Sequence, residues 1–147
     1  APSRSLVVGS PAYFQRRGRP KSPEALREHA CLLYAYQASG DTWHFRGPSG
    51  ASAVRVRGRL RANNGDVLAL AAQSGLGLAL LPDFIVDGEL RSGRLEPALA
   101  EHCRAEAVLH AVYPHARHLM PKVRAFVDRL AADFGAGASW RRAGLAG

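Results

Sequence analysis

The chain has 147 residues, of which 47% are hydrophobic and 22% charged, and it carries a formal net charge of +8 at pH 7. A chain of this size and mixture can bury a core without staples, no apolar run approaches the roughly 20 residues needed to span a bilayer, and no basic, apolar, small-residue leader opens it. Two cysteines, Cys31 and Cys103, are too few and too far apart for a disulfide framework or a zinc site, so both read as reduced thiols of a cytoplasmic protein.

In chain order, Ser5 to Gly9 predicts a short strand. Ser10 then caps a helix with Pro11 at its first position and Gly18 as its stop. Ser22-Pro23-Glu24 repeats that start, with the glutamate placed favourably against the helix dipole. Cys31 to Tyr36 is the next strand, and Ser39-Gly40-Asp41 turns it into a strand over Thr42 to Arg46. Trp43 and Phe45 are expected in the core. Beyond Gly47-Pro48-Ser49-Gly50, Val54, Val56, Gly58 and Leu60 alternate with Arg55, Arg57, Arg59 and Arg61, the period of a strand with one wet face.

Asn63 or Asn64 can cap the following helix, in which Val67, Leu70, Ala71 and Ser74 form a narrow apolar stripe. Gly75 stops that helix, and Leu76 to Leu81 is an apolar run suited to a strand covered on both faces. A short helix through Val86, glycine turns at Gly88 and Gly93, and strands near Leu95 to Leu99 and Ala105 to Val112 follow. Leu119, Val123, Phe126, Val127, Leu130 and Phe134 line one face of a last helix, which wants a sheet beneath it. From Gly135 on, glycine and alanine dominate, and disorder is expected.

The basic excess has two explanations. Arginine outnumbers lysine by 18 to 2, which fits a GC-rich coding bias as well as selection for anions. The arginine strand face could meet phosphate, or could simply keep an edge strand from pairing with other chains; the second is the expected role. No aromatic interleaving of the RNA-recognition kind accompanies it.

Catalytic and metal readings find little support. His29, His44, His102, His110, His115 and His118 show no metal-ligand spacing, and no local signature makes Cys31 a nucleophile. Gly75-Leu76-Gly77 lacks the third glycine of a dinucleotide fingerprint and follows a helix instead of opening one. Neither enzyme activity, cofactor nor metal is expected.

Several motifs occur together and in order: Ser10-Pro11-Ala12-Tyr13-Phe14, then Asn63-Asn64-Gly65 and Gly75-Leu76-Gly77-Leu78-Ala79-Leu80-Leu81-Pro82, then Ala111-Val112-Tyr113-Pro114 and Pro121-Lys122-Val123-Arg124-Ala125-Phe126. As a set they resemble the effector-binding region of LysR-type transcriptional regulators, from about Leu6 to Phe134. The resemblance implies an α/β fold of the periplasmic-binding-protein type 2 kind, a mixed sheet flanked by helices, with two lobes joined by crossovers at Ser10-Pro11 and Val112-Tyr113-Pro114. On that mapping residues 1–10 are a strand of an incomplete first lobe, 11–112 a second lobe, 113–134 a crossover and the first lobe's closing helix, and 135–147 a tail. The helix-turn-helix domain and the earlier part of lobe one have no counterpart, so the chain looks like a fragment.

The implied function is sensing of a small metabolite, anionic because helix N-termini and backbone amides suit an anion, although Asp66 in the first helical turn opposes one. Ser10, Pro11, Asn63, Asn64, Pro82, Phe84 and Tyr113 are the expected ligand-binding residues, since strand ends and helix starts border the crevice of an open α/β sheet. DNA would be contacted only through the absent helix-turn-helix domain, and a homo-oligomer is expected, with no membrane. A solute-binding protein of the same fold is the alternative, and a basic nucleic-acid-binding module a third possibility.

Overall fold

A computed structural model describes residues 2–47, 50–103, 105–108, 110–112 and 120–134. Its main sheet is built from β1 (Pro2–Gly9), β2 (Ala30–Tyr34), β5 (Arg57–Ala62), β6 (Leu78–Pro82), β7 (Glu96–Ala98) and β8 (Ala105–Val108), in the order β5-β2-β6-β1-β7, with β8 also pairing β1. Strand β2 runs parallel to β5 and β6, whereas β1 is antiparallel to β6, β7 and β8, so the sheet is mixed. Leu6, Val7 and Val8 are all buried, because β1 is central and covered on both faces, where consecutive apolar residues replace alternation. Each such side chain contributes roughly 1.5–3 kcal/mol by leaving water.

Strand β1 also joins two groups of strands. Ser5 to Val8 pair with β6 and Val7 to Gly9 with β7, while Pro2 to Arg4 pair with β8, and the register shifts between Ser3 and Arg4. The strand expected in the first lobe therefore pairs with β6 and β7 over most of its length and with β8 only at its start.

Helix α1 (Pro11–Arg17) starts where Ser10 Oγ accepts from the Tyr13 N–H at 3.2 Å, and ends at Gly18. Pro23–Glu28 is a 3₁₀ segment instead of an α-helix, and Ser22 makes no side-chain cap. In α2 (Gly65–Gln73) the cap is Asn64, whose Oδ1 accepts from the N–H groups of Asp66 and Val67 at 2.7 and 3.4 Å.

The expected stripe on α2 is overturned. Leu68, Ala69, Ala71 and Ala72 are the buried residues, while Val67 is 49% and Leu70 63% exposed. Six consecutive apolar residues offer several stripes of helical period, and the contact with β2 and β6 selects the alanine-rich one, which lets helix and sheet approach closely. Gly75 (φ 72°) then stops the helix in the left-handed region. Leu76 is 47% exposed, and β6 begins only at Leu78.

The single arginine-faced strand is also overturned. It is broken at Val56 into β4 (Gly50–Arg55), which forms a separate antiparallel hairpin with β3 (Thr42–Gly47), and the edge strand β5. Val54 and Val56 are buried as the alternation requires. Beyond them, Cys31 pairs with Gly58 but Leu32 with Leu60, so Arg59 is an extra residue in β5. A bulge of this kind reverses which side chains face which way. Leu60 is 36% exposed in consequence.

Helix α3 (Asp83–Arg91) packs on β1 and β6 and runs through Gly88, where a turn was expected. Strand β7 is shorter than expected, because Leu99 adopts φ 56° and leads into a 3₁₀ turn, Ala100–His102. Trp43 and Phe45, at 1% and 2% exposure, are core residues as expected. Helix α4 (Pro121–Phe134) keeps its apolar stripe half-buried or exposed, with Phe126 at 63%. Leu119 and residues 135–147 lie outside the described residues.

Candidate functional site

Strands β5, β2 and β6 are mutually parallel, so their carboxyl ends share one edge of the sheet. Two of them lead directly into helices: β5 is followed by α2, and β6 by α3. Both helix N-termini therefore sit at that edge, the geometry that makes a crevice in an open α/β sheet. A cleft of about 470 Å³ lies there, lined by Ser5, Tyr34, Tyr36, Gln37, Gly65, Leu80, Leu81, Pro82, Phe84 and Ile85. It adjoins a smaller space of about 290 Å³ that shares Ser5, Gln37 and Leu80 and extends to Ser39, His44, His102 and Cys103.

The larger cleft is lined by aromatic, aliphatic and neutral polar side chains, with no charged residue among them. Tyr34 and Tyr36 meet edge to face with centroids 6.0 Å apart, and Tyr36 is 73% exposed. Phe84, 43% exposed, is carried on the first turn of α3. That turn is held from inside the protein. Asp83 is buried, and its Oδ1 accepts both the Phe84 N–H at 3.0 Å and the Ser3 hydroxyl of β1 at 2.9 Å. Asp83, the first residue of α3, thereby satisfies one first-turn N–H that the capping position, Pro82, cannot.

Among the expected site residues, Pro82 and Phe84 lie together on the cleft wall. Asn63 and Asn64 are exposed at the same edge, next to Gly65, with Asn64 engaged as the α2 cap. Ser10 and Pro11 do not join them. Ser5 pairs with Pro82 and Val8 with Ala79, so the far end of β1, and Ser10 after it, lies at the opposite edge of the sheet. There Ser10 is buried and engaged in capping α1. Tyr113 lies outside the described residues.

Sequence reasoning missed Ser5, Tyr34, Tyr36, Gln37 and Asp83. Tyr34 and Tyr36 had a usable signal, two aromatics at the end of a predicted strand. Ser5 and Gln37 had none, because only the antiparallel pairing of β1 brings Ser5 to the carboxyl edge.

A second polar cluster lies under β2. The Tyr13 hydroxyl accepts from the Ala30 N–H at 3.1 Å and lies 3.0 Å from His29 Nδ1, an arrangement in which it donates to a neutral imidazole. Burial, aided by the nearby Arg17, lowers the His29 pKa, and burial raises that of Tyr13. Burial also pushes the Cys31 thiol up to about 12. Both cysteines are buried and neither forms a disulfide, and among the described residues no group of three or more His, Cys, Asp or Glu could hold a metal ion.

A mixed α/β sheet with two helix N-termini and a cleft at one edge defines a ligand-binding lobe. Comparison with known proteins makes this particular. Residues 1–135 match the family model of the LysR substrate binding domain, and the chain belongs to that family. It is 33% identical over 134 residues to the HTH-type transcriptional regulator CrgA of Neisseria meningitidis serogroup C, covering 90% of this chain and 44% of that protein. It is 36% identical over 126 residues to the regulator PgrR of Escherichia coli, covering 84% of this chain and 42% of that one. The chain thus spans under half the length of these relatives.

Solved structures agree. The CrgA regulatory domain superposes with a TM-score of 0.76 at 32% identity, covering 92% of this chain and 66% of that one. The regulatory domain of AphB from Vibrio vulnificus gives a TM-score of 0.71 at 28% identity, covering 88% and 64%. The expected fold class is therefore the observed one. These relatives are transcriptional regulators and not transport proteins, which sets aside the solute-binding alternative.

Proposed function

We propose that the chain is the effector-sensing part of a transcriptional regulator, and that the cleft at the carboxyl edge of β5, β2 and β6 takes the effector. The observation that supports this is the convergence of both helix N-termini and the Tyr34, Tyr36 and Phe84 rings on one cleft, in a chain of this family. The ligand is a small metabolite, with its apolar part against Phe84, Leu80 and Ile85. The first-turn N–H groups of Asp66, Val67 and Phe84 are already taken by Asn64 and Asp83, so polar groups of the ligand are met by Ser5, Gln37 and the tyrosine hydroxyls that line the cleft. The lobe boundary runs through β1, between the stretch paired with β8 and the stretch paired with β6. Regulation follows if the ligand favours one arrangement of the lobes over another, because only differential binding shifts such an equilibrium.

DNA contact belongs to a helix-turn-helix segment outside this sequence, and the protein acts in the cytoplasm as a homo-oligomer. No helix among the described residues is long and apolar enough to cross a membrane. Exposed Phe126 on α4, and exposed Val67, Leu70 and Leu76 on and after α2, are part of the apolar surface available for self-association.

The test is a thermal-shift screen of small carboxylates and aromatic metabolites on this chain, repeated with Phe84→Ala and Tyr36→Ala. A hit that raises the parent midpoint but neither variant's supports the cleft. A hit indifferent to both variants places the effector elsewhere. Light scattering at micromolar concentration tests the oligomer, and a monomer with full helix content contradicts it.

A further inference from the structure

The break at Val56 has a consequence away from the cleft. Arg55 ends β4, Arg57 begins β5, and the buried Val56 between them is tied by its N–H to the Asp41 carbonyl at 2.9 Å. The 3₁₀ segment Pro23–Glu28 packs against β4 and brings Arg27 to the same corner. Arg27, Arg55 and Arg57 line one groove of about 590 Å³ together with Asp41, Val56 and Gly58. That volume is within the range of about 300–1,000 Å³ typical of small-molecule sites. No residue of this groove lines either part of the crevice.

The charges at this corner do not cancel. The Asp41 carboxylate is engaged by Arg61, and Arg27 lies close enough to Glu24 to help stabilise its charged form. The guanidinium groups of Arg55 and Arg57 have no hydrogen bond or ion pair among the described residues. Like charges held around one groove repel, and an anion that accepts from their forked N–H groups relieves that repulsion.

We propose that this groove is a second ligand site, which takes a compact, multiply charged phosphate anion. A linear polyanion such as a nucleic-acid backbone fits less well. It needs a continuous row of cations, and the extra residue at Arg59 destroys the row: Arg57 pairs with Ala30 and Arg61 with Leu33, positions on opposite faces of β2. The remaining cations converge from three elements on one space.

Inorganic triphosphate is the probe, titrated calorimetrically into the 147-residue chain at low ionic strength. One saturable site is expected, weakened by added salt. The double variant Arg55→Ala/Arg57→Ala weakens it by about tenfold per arginine lost, whereas Arg124→Ala on α4, far along the chain and outside the groove, leaves it unchanged. Amide shifts in the parent chain map the site without any variant and should centre on Arg27, Asp41 and residues 55–58. Equal weakening by Arg124→Ala, shifts centred on Tyr36 and Phe84, or no saturation at millimolar triphosphate would each overturn the proposal. So would a DNA duplex that binds at this corner and is not displaced by triphosphate.

Discussion

Leu68 and Leu70 stand two residues apart on α2, identical in chemistry and opposite in environment. Leu68 is 1% exposed and Leu70 63% exposed. Alanine is at least as good a helix former as leucine, so propensity penalises neither truncation. Leu68→Ala removes a side chain packed between helix and sheet and leaves a cavity, which costs about 2–5 kcal/mol. Leu70→Ala removes a side chain already in water and should change stability by no more than about 0.5 kcal/mol. With a urea m-value of about 2 kcal/mol/M, the Leu68 variant loses about 1–2.5 M of midpoint and the Leu70 variant almost nothing. The assay is urea unfolding followed by circular dichroism, at two protein concentrations tenfold apart. A change for Leu70→Ala that grows with concentration reports association. A concentration-independent loss equal to that of Leu68→Ala would refute the assigned face of the helix.

Other outcomes follow from single contacts. Asn64→Ala removes the acceptor for two N–H groups and should cost about 1 kcal/mol, while Asn63→Ala, which caps nothing, stays within about 0.5; equal losses in urea unfolding would contradict the cap. Gly88→Ala should stabilise α3 by about 0.5–1 kcal/mol, since a Cβ there meets nothing within 4 Å, whereas Gly77→Ala would set its Cβ 2.5 Å from the Ala30 carbonyl oxygen and cost about 1–3 kcal/mol. Because the folded state lowers the His29 pKa, the unfolded chain takes up the proton first as pH falls. Stability is therefore full above about pH 6.5 and declines below it, and His29→Gln should flatten the urea midpoint between pH 7.5 and 5.5. The Cys31 thiol, pushed up to about 12 by burial, should resist iodoacetamide at pH 8 in the native chain and react once unfolded; modification at a free-thiol rate in the native chain would contradict its burial.

Much of the fold was legible because its cues are local. The cap at Ser10, a cap at Asn63 or Asn64, the stop at Gly75 and the aromatic pair Trp43 and Phe45 depend on residues near one another in the chain. The family was legible for a related reason, since short motifs in fixed order survive where overall identity is about one third. The cleft was half legible. Pro82 and Phe84 follow a strand directly, and that order alone places them at its carboxyl end.

Local cues fail where two alternatives satisfy them equally. Residues 67–72 are all apolar, so periodicity permits more than one buried face, and the choice among them belongs to the sheet that α2 meets. The alternation from Val54 to Arg61 is unbroken in the sequence, yet the ladder holds one extra residue at Arg59 and a change of sheet at Val56. Pairing partners far away in the chain impose both. Antiparallel pairing of β1 with β6 likewise carries Ser5 to the cleft and Ser10 to the opposite edge. The sequence by itself determined most of the helical and extended segments and where α1 and α2 begin, because capping, turn chemistry and apolar period act over a few residues. Tertiary structure alone decided which faces are buried and which residues share the cleft, because sheet register and strand direction join residues that the chain keeps far apart.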